Sequence, residues 1–188
     1  MSGDYGELVG SALRAVAQLH SDTSRLLVDC EKHIGEGRKS IFGSWVTQDL
    51  TYNMRAEQWM AEGVFLYYPA GERSVDAITI SFLEGSLKEP MFLIARIQYA
   101  GPENASTEED EFALVKSLCK GWDLWYLYFR GEPLLNEVIE YRNAEKGRIE
   151  LARAIAVPLY SIGSIEDVIQ LRNRLCSKEA QGPHSAMA

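Results

Sequence analysis

Chemistry in this chain would have to come from carboxylates. Asp76 lies near the start of an alternating apolar run over 75–83, and Glu84 stands just past its end. Two such acids could hold a divalent cation that activates water for phosphodiester hydrolysis. The next strand-like run contributes Arg96-x-Gln98 to one face. A cation and an amide at those places do not neutralise Mg²⁺, which is held mainly by carboxylate oxygens and water. Glu84 could replace a missing ligand only if the strand register bends. Asp76 and Glu84 are therefore the catalytic pair of an alternative reading, and no metal site is assigned.

Other catalytic currencies are scarce. His184 lies in a polar tail, and His20 and His33 share one helical segment at a spacing too wide for joint ligation of a metal. Neither a G-x-S-x-G elbow nor an H-E-x-x-H helix is present. Gly35-Glu36-Gly37-Arg38-Lys39-Ser40 has the flavour of a phosphate loop, but Arg38 separates the glycine from Lys39-Ser40 and a helix precedes it. A helix cap and turn explains these residues better. The cysteines Cys30, Cys119 and Cys176 are odd in number and far apart, which points to a reducing compartment. No cofactor is expected.

Aromatic residues are the more conspicuous resource. Trp122, Trp125, Tyr126 and Tyr128 crowd one short run. Rings in such a run can stack on a ligand or fill a protein interface, although core packing is the ordinary reading. These four residues are the candidate binding surface.

The elements that would position these groups follow from periodicity. Val9, Ala12, Val16, Leu19, Thr23, Leu26 and Cys30 recur at spacings of three and four, which predicts a helix over 6–34. It should end at Gly35-Glu36-Gly37, with glycine supplying the left-handed cap. A short helix over 53–61 and strands over 64–68, 75–83 and 91–99 come next, joined by turns at Pro69-Ala70-Gly71-Glu72 and from Gly85 to Pro90. Short connections favour antiparallel pairing. Ser106 and Thr107, with acids three residues on, cap a helix over 107–120, and 122–129 reads as a further strand. Pro133 suits the first turn of a helix over 134–146. Residues 149–157 alternate as a strand does, with a helix as the competing reading because of the alanines. Ser164-x-x-Asp167 opens a final helix carrying Ile165, Val168, Ile169, Leu171 and Leu175. The reading is one α+β domain over 1–177: a mainly antiparallel sheet flanked by helices, a long N-terminal helix, and a disordered tail over 178–188.

Charge and composition narrow the partners. With 46% hydrophobic and 24% charged residues the chain is a soluble globular type. Its net charge of −8, with no dense basic patch, argues against a nucleic-acid partner. Asp4 and Glu7 stand where a signal peptide would carry basic residues, and no stretch reaches the roughly 18 apolar residues that span a bilayer. A cytoplasmic protein with no membrane partner is expected.

Two resemblances follow from element order. Helix, three strands, helix and strand is the order of the PD-(D/E)XK nuclease core, which implies the metal-dependent alternative at Asp76. Counted from helix 53–61, the order α-β-β-β-α-β, then β and α, resembles the class I type III secretion chaperones and the related YbjN-like domains. It is carried by 64–99, by helix 107–120, and by Gly147-Arg148-Ile149-Glu150-Leu151 through Ser164-Ile165-Glu166-Asp167-Val168-Ile169. The long N-terminal helix and helix 134–146 depart from that pattern. This resemblance implies a non-enzymatic, often dimeric, chaperone- or adaptor-like protein that binds extended segments of a protein partner. A small-ligand sensor is a third reading. A homodimer is expected on physical grounds as well. A helix of about 28 residues, roughly 40 Å long, overhangs a domain of this size, and its stretch over 19–30 needs apolar cover.

Overall fold

The computed structural model describes residues 3–38, 40, 63–71, 74–82, 89–99, 135–141 and 149–177. Helix α1 (Gly3–His33) precedes strands β1 (Gly63–Gly71), β2 (Ser74–Ser81) and β3 (Met91–Tyr99). Strands β4 (Ile139–Tyr141) and β5 (Ile149–Pro158), a 3-10 turn (Leu159–Ser161) and helix α2 (Ile165–Cys176) follow. Among the described residues all strand pairs are antiparallel, in the sheet order β1-β2-β3-β5-β4. The α+β class and the long N-terminal helix agree with the sequence reading. Residues 149–157 are strand, the alternation prevailing over the helix propensity of the alanines.

The register sorts side chains into two faces, because residues directly opposite in antiparallel strands point the same way. Val64, Ile80, Phe92 and Val157 form one row, and Leu66, Ile78, Ile94 and Ile155 the next. Val168, Leu171 and Leu175 of α2, with Cys30 and Ile34 at the end of α1, close the core over this face. The opposite face, including Ala77, Thr79, Leu93, Ala95, Ile97 and Ala154, is buried too. Burial on both sides explains why β3 is nearly continuous in apolar residues rather than alternating.

The long helix divides into two parts. Leu19, Leu26 and Leu27 pack against the core, and Thr23 and Cys30 are buried. Nearer the N-terminus, Leu8 (66% exposed), Val9 and Leu13 (65%) face solvent. The stretch over 19–30, expected to need an external partner, is thus largely covered by its own chain, and the overhang lies nearer the N-terminus. Val28 is its exposed exception.

Two local expectations are corrected. Residues 135–141 are not helical: a turn leads into β4, so the helix over 134–146 does not form there. Asn136 adopts a left-handed φ of 62° and its N–H donates to the Ala156 carbonyl at 2.8 Å, which ends any helix and delivers Ile139 and Tyr141 to β5. Strand β1 runs through Pro69 to Gly71 instead of turning there, with a register shift between them. As the edge of the described sheet, β1 tolerates a proline without a backbone donor. The end of α1 agrees with expectation: Gly37 (φ 75°) is left-handed, as is Glu36 (φ 53°) before it. Gly35 answers a different need. A Cβ there would meet the Glu31 carbonyl oxygen at 2.6 Å, Tyr68 Cδ1 at 2.7 Å and the Arg38 carbonyl oxygen at 2.8 Å. Helices 53–61 and 107–120 and the run 122–129 lie outside the described residues.

Two predictions arise from this packing. Gly35→Ala forces backbone or the Tyr68 ring to move and should cost about 1–3 kcal/mol, read from the urea midpoint; an unchanged midpoint contradicts the contact. Burial, reinforced by Asp29, pushes the Cys30 thiol up from 9.0 to about 12. The folded thiol therefore stays protonated while the unfolded one ionises above pH 9.0. Its contribution to stability is whole below that pH and declines toward pH 12, at up to about 1.4 kcal/mol per pH unit. Cys30→Ala should flatten that alkaline slope between pH 9 and 10, and an identical slope in the variant refutes the assignment.

Candidate functional site

Four charged residues and a tyrosine of the sheet share one cross-strand row. Tyr68, Asp76, Arg96, Arg153 and Glu140 are successive register partners across β1, β2, β3, β5 and β4, on the face that α2 covers. Asp76 is 1% exposed. Arg96 grips it through both oxygens, Nε to Oδ1 at 2.7 Å and Nη2 to Oδ2 at 2.8 Å. Arg172 of α2 donates Nε to Oδ2 at 2.8 Å. The remaining Arg96 nitrogen, Nη1, donates to Cys176 Sγ at 2.8 Å. Arg153 pairs with Glu140 Oε2 at 2.9 Å and reaches the Leu175 carbonyl at 3.5 Å, satisfying an open carbonyl at the end of α2. The hydrogen bond to Asp76, foremost among several contacts, raises the Arg96 pKa further and keeps its guanidinium charged.

This geometry determines what Asp76 can do. Both its oxygens are already occupied by guanidinium donors, so a divalent cation would have to displace two arginines and their charge. Arg96, expected only as a poor metal ligand, is the partner of the very acid it was set against. Glu84 lies outside the described residues, as do Trp122, Trp125, Tyr126 and Tyr128. Among the described residues no group of three or more His, Cys, Asp and Glu side chains could hold a metal ion. His20 packs its ring 5.3 Å from that of Phe82. The segment likened to a phosphate loop is structural in its described part. Arg38 pairs with Glu36 at 2.9 Å, and the Ser40 hydroxyl accepts the Tyr67 N–H at 3.3 Å.

An opening that can take a ligand lies elsewhere. A groove of about 500 Å³ runs between α1 and the segment joining β5 to α2. Leu19, Thr23 and Leu26 form one wall, and Pro90, Leu159, Ile162 and Ile165 the other. Its size falls within the roughly 300–1,000 Å³ of ordinary ligand pockets. Tyr160 stands on the rim and is 77% exposed. The second wall is held by short bonds. Leu159 N–H donates to the Pro90 carbonyl at 2.8 Å, Ser161 Oγ to the Pro158 carbonyl at 2.7 Å, and the Gly163 and Ser164 N–H groups both to Asp167 Oδ2 at 2.9 Å. The Ser164 bond belongs to the capping box read from sequence. The groove itself was missed. Its signal was an apolar, aromatic connection, Leu159-Tyr160-Ser161-Ile162, placed directly before that box, where polar turn residues would be ordinary.

The ion-pair row makes a specific prediction about stability. Asp76→Ala leaves two arginines without their acid and should cost about 3–5 kcal/mol by urea denaturation. Replacing Asp76, Arg96 and Arg172 together with Leu, Met and Leu should recover most of that loss. If the triple variant is no more stable than Asp76→Ala, the three residues do not act as one buried unit.

No family model matches this chain, and neither the curated proteins nor the solved structures yield a match.

Proposed function

We propose that this protein is a non-catalytic binding domain whose docking site for a protein partner is the groove between α1 and residues 159–165. The observation that carries this reading is an apolar groove with a pre-formed wall and an exposed tyrosine on its rim. Tyrosine is enriched at binding hot spots because it buries a large area at small entropic cost, and a wall already held by hydrogen bonds has less ordering to lose on association. The metal-dependent hydrolase reading loses support for a concrete reason, the occupation of both Asp76 oxygens by arginines. The groove's mainly apolar, open lining also suits a protein segment better than the enclosed polar cavity of a sensor.

The chaperone- or adaptor-like role implied by the resemblance fits within this proposal, as does a cytoplasmic setting. In support, β1, β2 and β3 run consecutively and β5 followed by α2 closes the chain in that order, and no described helix is long and apolar enough to cross a membrane. Self-association is a second reading, favoured by one observation. Leu8, Val9 and Leu13 are exposed on the overhanging part of α1, where a twofold-related copy could cover them.

Photo-crosslinking tests the main reading. Benzoylphenylalanine at position 160 should give a discrete adduct with a host protein, lost in Leu26→Glu, while the same group at exposed Gln170 gives none. Adducts of equal yield at both positions contradict the groove. Mg²⁺- or Mn²⁺-dependent nuclease activity abolished by Asp76→Ala would restore the hydrolase. For the second reading, sedimentation at micromolar concentration should show a species heavier than 21.1 kDa. A single species at that mass rules it out.

A further inference from the structure

The charges around the groove are unequal in their commitments. Asp22 accepts two hydrogen bonds from Gln18 Nε2, at 2.9 and 3.0 Å, and has Arg25 at 3.9 Å. Arg25, the groove's one basic residue among the described lining, thus already faces an acid of its own helix. Asp29 also lines the groove and has no hydrogen-bond or ion-pair partner among the described residues. One uncompensated carboxylate therefore stands beside an apolar channel, on a chain whose net charge is −8. The exposed ring of Tyr160 on the same rim presents a π face that attracts cations. Thr23 adds a separate observation. It is 95% withdrawn from solvent (5% exposed), it lines the groove, and its hydroxyl oxygen is buried without a hydrogen-bond partner. Threonine in a helix has two accessible χ1 rotamers, so rotation can exchange its methyl for its hydroxyl and offer that unused bond to an occupant.

We infer that the groove takes a protein segment presenting an apolar side chain next to a lysine or arginine. The apolar group lies between Leu19, Leu26 and Ile162, and the cation meets Asp29 and Tyr160. This inference rests on the groove being the docking site, and it adds the chemistry of the occupant. An acidic segment is repelled by the same carboxylates, so the rim selects by charge as well as by shape.

Fluorescence anisotropy with the full chain and three labelled eight-residue peptides tests it. The peptides share the same leucines and differ only in having Lys, Gln or Glu between them. The Lys peptide should bind about three-fold tighter than the Gln peptide, the scale of one exposed ion pair, and the Glu peptide more weakly still. Asp29→Asn should erase the preference for Lys, whereas Glu150→Gln, with the same loss of charge on β5, should keep it. Tyr160→Ala, at a solvent-exposed position, should weaken the Lys and Gln peptides alike by removing rim contact, and weaken the Lys peptide more. If the Gln peptide binds as tightly as the Lys peptide, the basic requirement is wrong while the docking groove stands. If both charge variants lose the preference equally, the effect is net charge and the role of Asp29 is overturned. If no peptide binds, or if Tyr160→Ala changes nothing, the groove reading falls as well.

Discussion

A carboxylate buried in the middle of a sheet must be compensated, and the way Asp76 is compensated organises the rest of the molecule. One guanidinium comes from the neighbouring strand and one from a helix far along the chain. The first locks the register of β2 against β3, since a slip of one residue would turn Asp76 and Arg96 to opposite faces. The second locks α2 against the sheet. Net stabilisation from such a group is modest after desolvation, but separating its members leaves uncompensated charge in the interior. Its value here is in specifying one arrangement among the several that an apolar face and an amphipathic helix could adopt.

The position of α2 then shapes the surface. Because Arg172 and the apolar stripe Val168, Leu171 and Leu175 seat the helix, its N-terminus falls where Ser164 and Asp167 can tie down the connection from β5. That connection is one wall of the groove. The other wall is α1, held to the same core by Cys30 and Ile34. A buried ion pair and a distant groove are linked through rigid elements in this way. The same pairing works against metal binding at Asp76, because a cation there would meet two guanidinium charges already bonded to both oxygens.

Helix α1 shows how one amphipathic pattern meets two fates. Its spacing of apolar residues is continuous from Val9 to Cys30, yet the sheet is wide enough to cover only the later turns. At its end, Gly35 lets the chain pass against the Tyr68 ring, whose hydroxyl is buried without a partner. Burial, with Cys30 and Glu31 nearby, raises the pKa of that phenol and keeps it neutral.

Much of the described framework was legible from local pattern. The alternation of Asp76, Ile78 and Ile80 marked β2, the apolar run marked β3, and Ser164-x-x-Asp167 marked the start of α2, because each signal is carried by residues a few positions apart. The segment over 135–141 was misread since Leu135, Val138 and Ile139 have helical spacing, and partners distant in sequence, the Ala156 carbonyl on β5 and Arg174 on α2, hold Asn136 in its left-handed turn. Arg96 was read as a defect in a metal site; that it faces Asp76 depends on strand register, and that Arg172 joins them depends on packing across 96 positions. The groove likewise belongs to no single segment. Composition and short-range periodicity determined the elements and their class. Tertiary structure alone decided which charges neutralise one another and where a surface was left open, because both depend on residues that meet only after the chain has folded.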